Sequence, residues 1–162
     1  MFELYQVGLA FTSLLLGIII WAGVTWRNRA KAQGLELVAP SFTEFSEQGI
    51  SGHYVATTFA DRPLDRVSAH GLGFAGKSII EVSDGGVQIS RVGEKSFQIT
   101  KLSLLDLTRS SAVIDRAVEK DGLLSLRWKL GDTELESHFR FTSSRSRDQV
   151  AREVSNLLVG VK

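Results

Sequence analysis

The hydrophobic pattern changes character twice along this chain. The first stretch, residues 4–26, opens at Leu4 and closes at Trp26 without one charged side chain: LYQVGLAFTSLLLGIIIWAGVTW. As a helix rising 1.5 Å per residue it reaches about 35 Å, enough to cross a hydrocarbon core of roughly 30 Å. It predicts a membrane-spanning anchor. A cleaved signal peptide carries its positive charge ahead of the apolar stretch. Here Arg27, Arg29 and Lys31 come after it, and Arg27 and Arg29 precede the one cleavage-like triplet, Ala30-Lys31-Ala32. A buried core helix has no need of so long an uncharged run. Cations behind the run and none ahead of it predict Met1 outside and the rest of the chain in the cytoplasm. Tyr5, Trp21 and Trp26 sit where interfacial aromatics sit, and Ser13 with Gly17 forms one small-xxx-small pair.

From Arg27 to about Phe45 the chain has no sustained period and reads as a juxtamembrane linker. From Ile50 onward, short β-like runs alternate with turn signals. GHYVATTFA is followed by an irregular loop, DRPLDRVSAHGLGFAG. KSIIEV, VQISRV and KSFQITK are separated by Asp84-Gly85-Gly86 and Gly93-Glu94. KLSLLDLTRS reads equally as a strand extension or a connection, and AVIDRAVE precedes Asp121-Gly122. The last hairpin is the clearest. Leu124, Leu126, Trp128 and Leu130 alternate with Ser125, Arg127 and Lys129; Leu135, Phe139 and Phe141 alternate with Glu136, His138 and Arg140. Period two with one wet face predicts an antiparallel, half-buried pair joined by a Gly131-Asp132 turn.

The second change is to a period of 3.6. Val150, Val154, Leu157, Leu158 and Val161 form one stripe of a helix, with Ser144 or Ser146 as cap and Asp148 in its first turn. The predicted fold is mainly β. An N-terminal transmembrane helix (1–26) and a linker (27–46) lead to a domain (47–162). That domain is an antiparallel two-sheet barrel of about seven strands, whose open corner the C-terminal helix fills.

Composition narrows the function classes. The chain has no cysteine, which excludes disulfides, thiolate nucleophiles and cysteine metal sites and fits a reducing compartment. Net charge is +1, and without Glu3 the part beyond the uncharged run stands at +2, an ordinary mixed surface with no pull toward nucleic acid.

The order of elements is that of a pleckstrin-homology (PH) domain. GHYVATTFADRPLDRVSAHGLG, with the later GVQISRVG and DGLLSLRWKLGD, resembles the bacterial PH-like domains found behind a single membrane helix in actinobacterial proteins. The resemblance covers nearly the whole chain. It implies a fold and no reaction; genes for such proteins often lie beside pyrimidine-biosynthesis genes.

One motif competes with that reading. Residues 71–78, GLGFAGKS, satisfy the G-x-x-x-x-G-K-S pattern of phosphate-binding loops, in which Lys77 would reach phosphates and Ser78 would hold magnesium; Asp106 in LSLLD would complete the metal site. Such a loop needs a strand before it and a helix after it. The run after Lys77 is short and β-branched, so a glycine-rich loop leading into a strand is the plainer reading; the G-x-G-x-x-G within it lacks a βαβ unit for the same reason. His53, His70 and His138 show no metal spacing. Asp61, Arg62, Asp65 and Arg66 read as an ion-pair cluster fixing their loop.

The sequence therefore predicts a non-enzymatic inner-membrane protein with no cofactor, no metal and no catalytic residue. It uses residues 4–26 to hold the bilayer and its PH-like domain to tether a protein partner, or a second copy of itself, at the membrane. The candidate surface is Tyr54, Arg62, Arg66, Phe74 and Lys77. The alternatives are anionic-lipid headgroup binding, through Arg62, Arg66 and Lys77, and nucleotide binding by residues 71–78.

Overall fold

The computed structural model describes residues 2–110, 112–113, 116–117 and 123–160. Helix α1 spans Phe2–Glu36. Nothing in the run breaks a helix, and the hydroxyl of Thr25 donates back to the carbonyls of Trp21 and Ala22 at 2.9 Å, so it stays satisfied in place. Apolar side chains such as Leu14, Leu15, Leu16, Ile18, Ile19 and Ile20 are exposed on every side of the helix. Among the described residues no helix is long and apolar enough to cross a membrane. Of the run read as spanning, residues 4–10 and Trp26 have side chains outside the described residues.

The helix continues past Arg27 to Glu36, through the first half of the stretch read as a linker. At Leu37 the chain turns into the core, and Pro40, which cannot extend a helix, starts it in extended form. Strand β1, Ser41–Thr43, comes immediately after. The chain beyond it lies against the sheet: Ser46 N–H donates to Ser90 Oγ at 2.9 Å, and Ser46 Oγ donates to Glu81 at 3.0 Å.

The remaining strands are β2 (Ile50–Phe59), β3 (Arg62–Arg66), β4 (Gly76–Ser83), β5 (Gly86–Arg91), β6 (Ser96–Thr100), β7 (Leu104–Ser110), β8 (Ala112–Val113), β9 (Arg116–Ala117), β10 (Leu123–Leu130) and β11 (Thr133–Arg140). A 3-10 turn, η1 (Ala69–Gly71), lies between β3 and β4, and helix α2 (Ser144–Val159) closes the described chain. Every ladder is antiparallel. Nine strands form one sheet in the order β1-β6-β5-β4-β2-β11-β10-β7, with β3 added to β2. Strands β8 and β9 pair separately; the rest of AVIDRAVE, including Ile114, Asp115, Val118 and Glu119, lies outside the described residues.

The expected seven-stranded barrel is therefore an open sheet of nine strands. Its outer members β1 and β7 do not pair with each other. The two-layer character survives through β2. Its first half, from Ile50, pairs with β4, while its second half, to Phe59, pairs with β11. The two arms face each other across the core: Phe97 of β6 stacks on Trp128 of β10 with ring centroids 6.0 Å apart, although four strands separate them in the sheet. The two unforeseen strands have plain causes. Strand β1 is too short to show a period, and β3 is polar, contains Pro63 and sits at an edge, where a missing N–H costs no ladder bond.

The last hairpin forms in the expected register, with Trp128 opposite Leu135 and Leu124 opposite Phe139. Its outer face is not wet throughout, since Ser125 and His138 are buried. Helix α2 buries Val150, Ala151, Val154 and Leu157 against the core cluster shared by both arms; Val161 lies outside the described residues. Its N-cap is Ser143, not Ser144 or Ser146, and that residue makes no side-chain capping bond. Asp148 lies beyond the first turn and pairs with Arg109 at 3.3 Å.

Candidate functional site

The connection from β2 to β4 carries most of the residues singled out from sequence, and the core determines its shape. The Tyr54 hydroxyl donates to the Leu72 carbonyl oxygen at 2.7 Å. That carbonyl also accepts the Thr57 N–H at 2.9 Å. Tyr54 is thus fully buried and belongs to the core, where Phe97 and Phe139 meet its ring edge-on; it presents nothing to a partner. Burial pushes its hydroxyl pKa up to about 12, against the smaller pulls of Thr57, Arg91 and Ser137.

Arg91 grips the same connection from β5. Its Nη1 donates to Gly71 O at 2.7 Å, and its Nε and Nη2 donate to Lys95 O at 3.1 and 2.6 Å. The guanidinium lies 5.0 Å from the Tyr54 ring centroid and 5.1 Å from that of Phe97. Only 2 % of the residue is exposed, and burial lowers its pKa, while Tyr54 and Glu94 act the other way. Carbonyl oxygens take its hydrogen bonds and ring faces cover it, while the Glu94 carboxylate adds favourable charge. Arg91 thereby ties η1 to the turn between β5 and β6.

A third contact joins this connection to α1. His70 has φ +55, the left-handed region, and its Nε2–H donates to Leu37 O at 3.0 Å. The end of α1 also packs on η1.

The surface on this scaffold is mixed in charge. Arg62 is exposed on β3, flanked by Asp61 at 3.5 Å and Asp65 at 3.4 Å, with its guanidinium 4.5 Å from the Phe59 ring centroid. With Leu37, Phe59, Arg127 and Glu134 it borders a cleft of about 430 Å3. Arg66 is half-buried opposite Thr58. Leu64 is 75 % exposed and Phe74 41 %. Lys77 is exposed at the start of β4, opposite His53. The structure therefore brings Arg62, Arg66 and Phe74 onto one pinned connection, places Lys77 just beyond it, and removes Tyr54 to the core. Leu64, a lone apolar residue among charges, is absent from the sequence-based surface; its place in an irregular loop gives no period to read.

The phosphate-loop match does not acquire its geometry. Residues 71–78 run from the end of η1 through a turn into β4, so Lys77 and Ser78 lie on a strand and their backbone groups belong to a ladder. The element that follows that loop in the chain is strand β4, not a helix. Among the same residues no group of three or more His, Asp or Glu side chains is arranged to hold a metal ion.

His138 is the most perturbed histidine. Its Nε2 lies 3.0 Å from Thr58 Oγ1 and its Nδ1 2.8 Å from Ser125 Oγ, all three residues being buried. Burial lowers its pKa to about 4. A neutral imidazole satisfied on both nitrogens and closed to solvent is a structural link between β2, β10 and β11.

No curated protein matches the chain. The bacterial PH domain-like family matches residues 25–155, from the end of the uncharged run into α2. That range takes in the whole open antiparallel sheet and most of the helix packed against it, and the chain belongs to the bacterial PH domain-like family.

Proposed function

We propose that this chain is a single-pass membrane protein. Its PH-like domain lies on the cytoplasmic side and holds a protein partner, or a second copy of itself, at the bilayer. The observation that carries the interaction reading is the β3–η1 connection. It is exposed at Arg62, Leu64 and Phe74, yet pinned from beneath by Tyr54 and Arg91. A fixed surface with an arginine, exposed apolar side chains and charges of both signs suits a protein partner. The lipid-headgroup reading is the weaker one for this surface, because Asp61 and Asp65 flank Arg62. The nucleotide reading is weaker still, because Lys77 and Ser78 lead into a strand. Anchoring is supported by the uncharged run and by the apolar residues exposed all round α1. Tethering acts by raising the local concentration of the partner, without bond chemistry.

The test is in-cell crosslinking of the full chain beside an Arg62→Glu/Phe74→Ala double variant and a truncation to residues 1–32. A partner, or self-crosslink, captured by the full chain and lost in both others is the expected result. Capture that survives the double variant removes the β3–η1 connection from the reading. Release of the full chain from membranes by alkaline carbonate removes the anchor.

A further inference from the structure

Turn η1 is gripped from two directions. From the core, Arg91 Nη1 donates to Gly71 O and the Tyr54 hydroxyl donates to Leu72 O, each at 2.7 Å. Toward α1, His70 Nε2–H donates to Leu37 O at 3.0 Å. Leu37 is the first residue past α1, where carbonyls run out of helical N–H partners and the negative end of the helix dipole lies. The imidazole therefore caps the end of α1 from a distant part of the chain.

His70 reaches that carbonyl from an unfavourable backbone. Its φ is +55 and its ψ +19, and among the described residues it is the only non-glycine with a positive φ. Such a conformation persists where the surroundings over-determine it, and it gathers at functional contacts. Glycine, which the next position carries at φ +73, adopts it freely but has no ring. Residue 70 thus carries an imidazole where the backbone alone favours glycine, and the bond to Leu37 is what the imidazole adds. Two apolar contacts complete the joint. Leu37 belongs to the same buried cluster as Val67, Ala69 and Leu72 around η1. Val38 lies over the β10–β11 turn, its Cγ2 3.2 Å from where a Cβ on Gly131 would stand.

Helix α1 is continuous to Glu36, and residues 27–36 add about 15 Å of helix past Trp26. We propose that His70 is a latch that joins α1 to the PH-like domain as one rigid body. The β3–η1 surface is then presented at one height and one orientation with respect to the helix axis. A domain on a flexible linker is ordered only when its partner binds, whereas a latched domain is ordered beforehand and meets partners only at that height. This consequence rests on the interaction reading of the surface; the latch itself does not.

The chain has no cysteine, so introduced cysteines alone take spin labels. Lys31, Asp84 and Lys129 are exposed on α1, the β4–β5 turn and β10. Distance distributions are measured by pulsed electron spin resonance on the full chain in dodecylmaltoside, diluted with unlabelled chain. The linking pairs Lys31→Cys/Lys129→Cys and Lys31→Cys/Asp84→Cys are expected to be as narrow as the domain pair Lys129→Cys/Asp84→Cys. His70→Gly keeps the left-handed backbone and removes only the imidazole; it is expected to widen both linking pairs and leave the domain pair unchanged. His70→Asn, which tolerates the same backbone but sets no donor where Nε2 lies, is expected to do the same. His70→Gln, whose amide nitrogen can stand there, is expected to widen them less. Broad linking pairs in the parent overturn the proposal. So do linking pairs that stay narrow in both His70→Gly and His70→Asn, which would assign the joint to Leu37 and Val38 alone. The domain pair reports whether each variant keeps its fold. The measurement contains no partner, so its outcome is separate from the crosslinking that tests the surface.

Discussion

Tyr54 and Trp128, on strands separated by β11, are joined by one directed chain of hydrogen bonds. Trp128 Nε1–H donates to Ser137 Oγ at 2.9 Å; Ser137 Oγ lies 2.6 Å from Thr57 Oγ1; Thr57 Oγ1 lies 2.6 Å from the Tyr54 hydroxyl; and that hydroxyl donates to Leu72 O. The two ends fix the direction, because an indole N–H only donates and a carbonyl only accepts. Each hydroxyl between them donates once and accepts once. The chain crosses the core from β10 to the loop after η1 and leaves none of its buried polar atoms unmatched.

Tyr54→Phe removes one link of that chain. The ring stays, so the packing against Phe97 and Phe139 is kept, while Thr57 loses its acceptor and Leu72 O one of its donors. The expected cost is about 1–3 kcal/mol in urea unfolding. Faster amide exchange at Leu72–Phe74 than at β10 is also expected, because the lost bond pins that loop. Equal exchange at both places would show that the loop is held by Arg91 alone.

Arg91→Met tests the second pin. Gly71 O and Lys95 O lose a charged donor while the apolar stem is roughly conserved, and the expected cost is about 2–4 kcal/mol. Arg91→Lys is not expected to rescue it, since one ammonium does not reproduce a fork that reaches carbonyls on two separate turns. The comparison is read from urea midpoints of the three proteins; a lysine variant as stable as the parent would show that charge alone suffices.

His138 makes stability depend on pH in a defined direction. Unfolded, the imidazole takes a proton near its ordinary value of about 6.5; folded, burial holds it down to about 4. Between those values the unfolded state binds more protons, so stability falls as pH falls. The loss approaches about 3 kcal/mol across the window and is absent above it. A His138→Gln variant should be less stable at pH 7, yet flatter between about pH 6.5 and 4.5. Parallel pH profiles for the two proteins would remove His138 as the cause.

How much of this is legible in the sequence depends on period and length. The β10–β11 hairpin and the stripe of α2 are readable because each repeats its pattern several times. Strand β1 has three residues and β3 hides among charges, so neither has a period, and both owe their strand form to pairing with β6 and β2. Ser125 and His138 look wet in the sequence because alternation predicts which face a residue shares, not whether that face is later covered. Tyr54 looks like a surface residue from its chain position near the loop, yet the register shift opposite His138 and Phe139 sets it on the same inward face as Thr57, three residues on. That Lys77 lies opposite His53, and His53 opposite Arg140, is invisible in the sequence, because it exists only in the register between three strands.

Two glycines in turns separate backbone strain from steric collision. Gly86, at φ +142, begins β5, and a Cβ there runs into the carbonyl of Ile99 in the neighbouring strand. Gly93, at φ +83 in the turn between β5 and β6, has open space where a Cβ would lie. Gly93→Ala therefore carries only the left-handed penalty, about 1 kcal/mol. Gly86→Ala adds a clash with a backbone atom that a side-chain rotation cannot relieve, and the expected cost exceeds about 2 kcal/mol. Relief would require β5 and β6 to part, which would loosen the register that sets Val87 opposite Ile99. Thermal unfolding of the two variants decides the matter, because similar shifts for both would mean that the sheet gives way at Gly86 without loss.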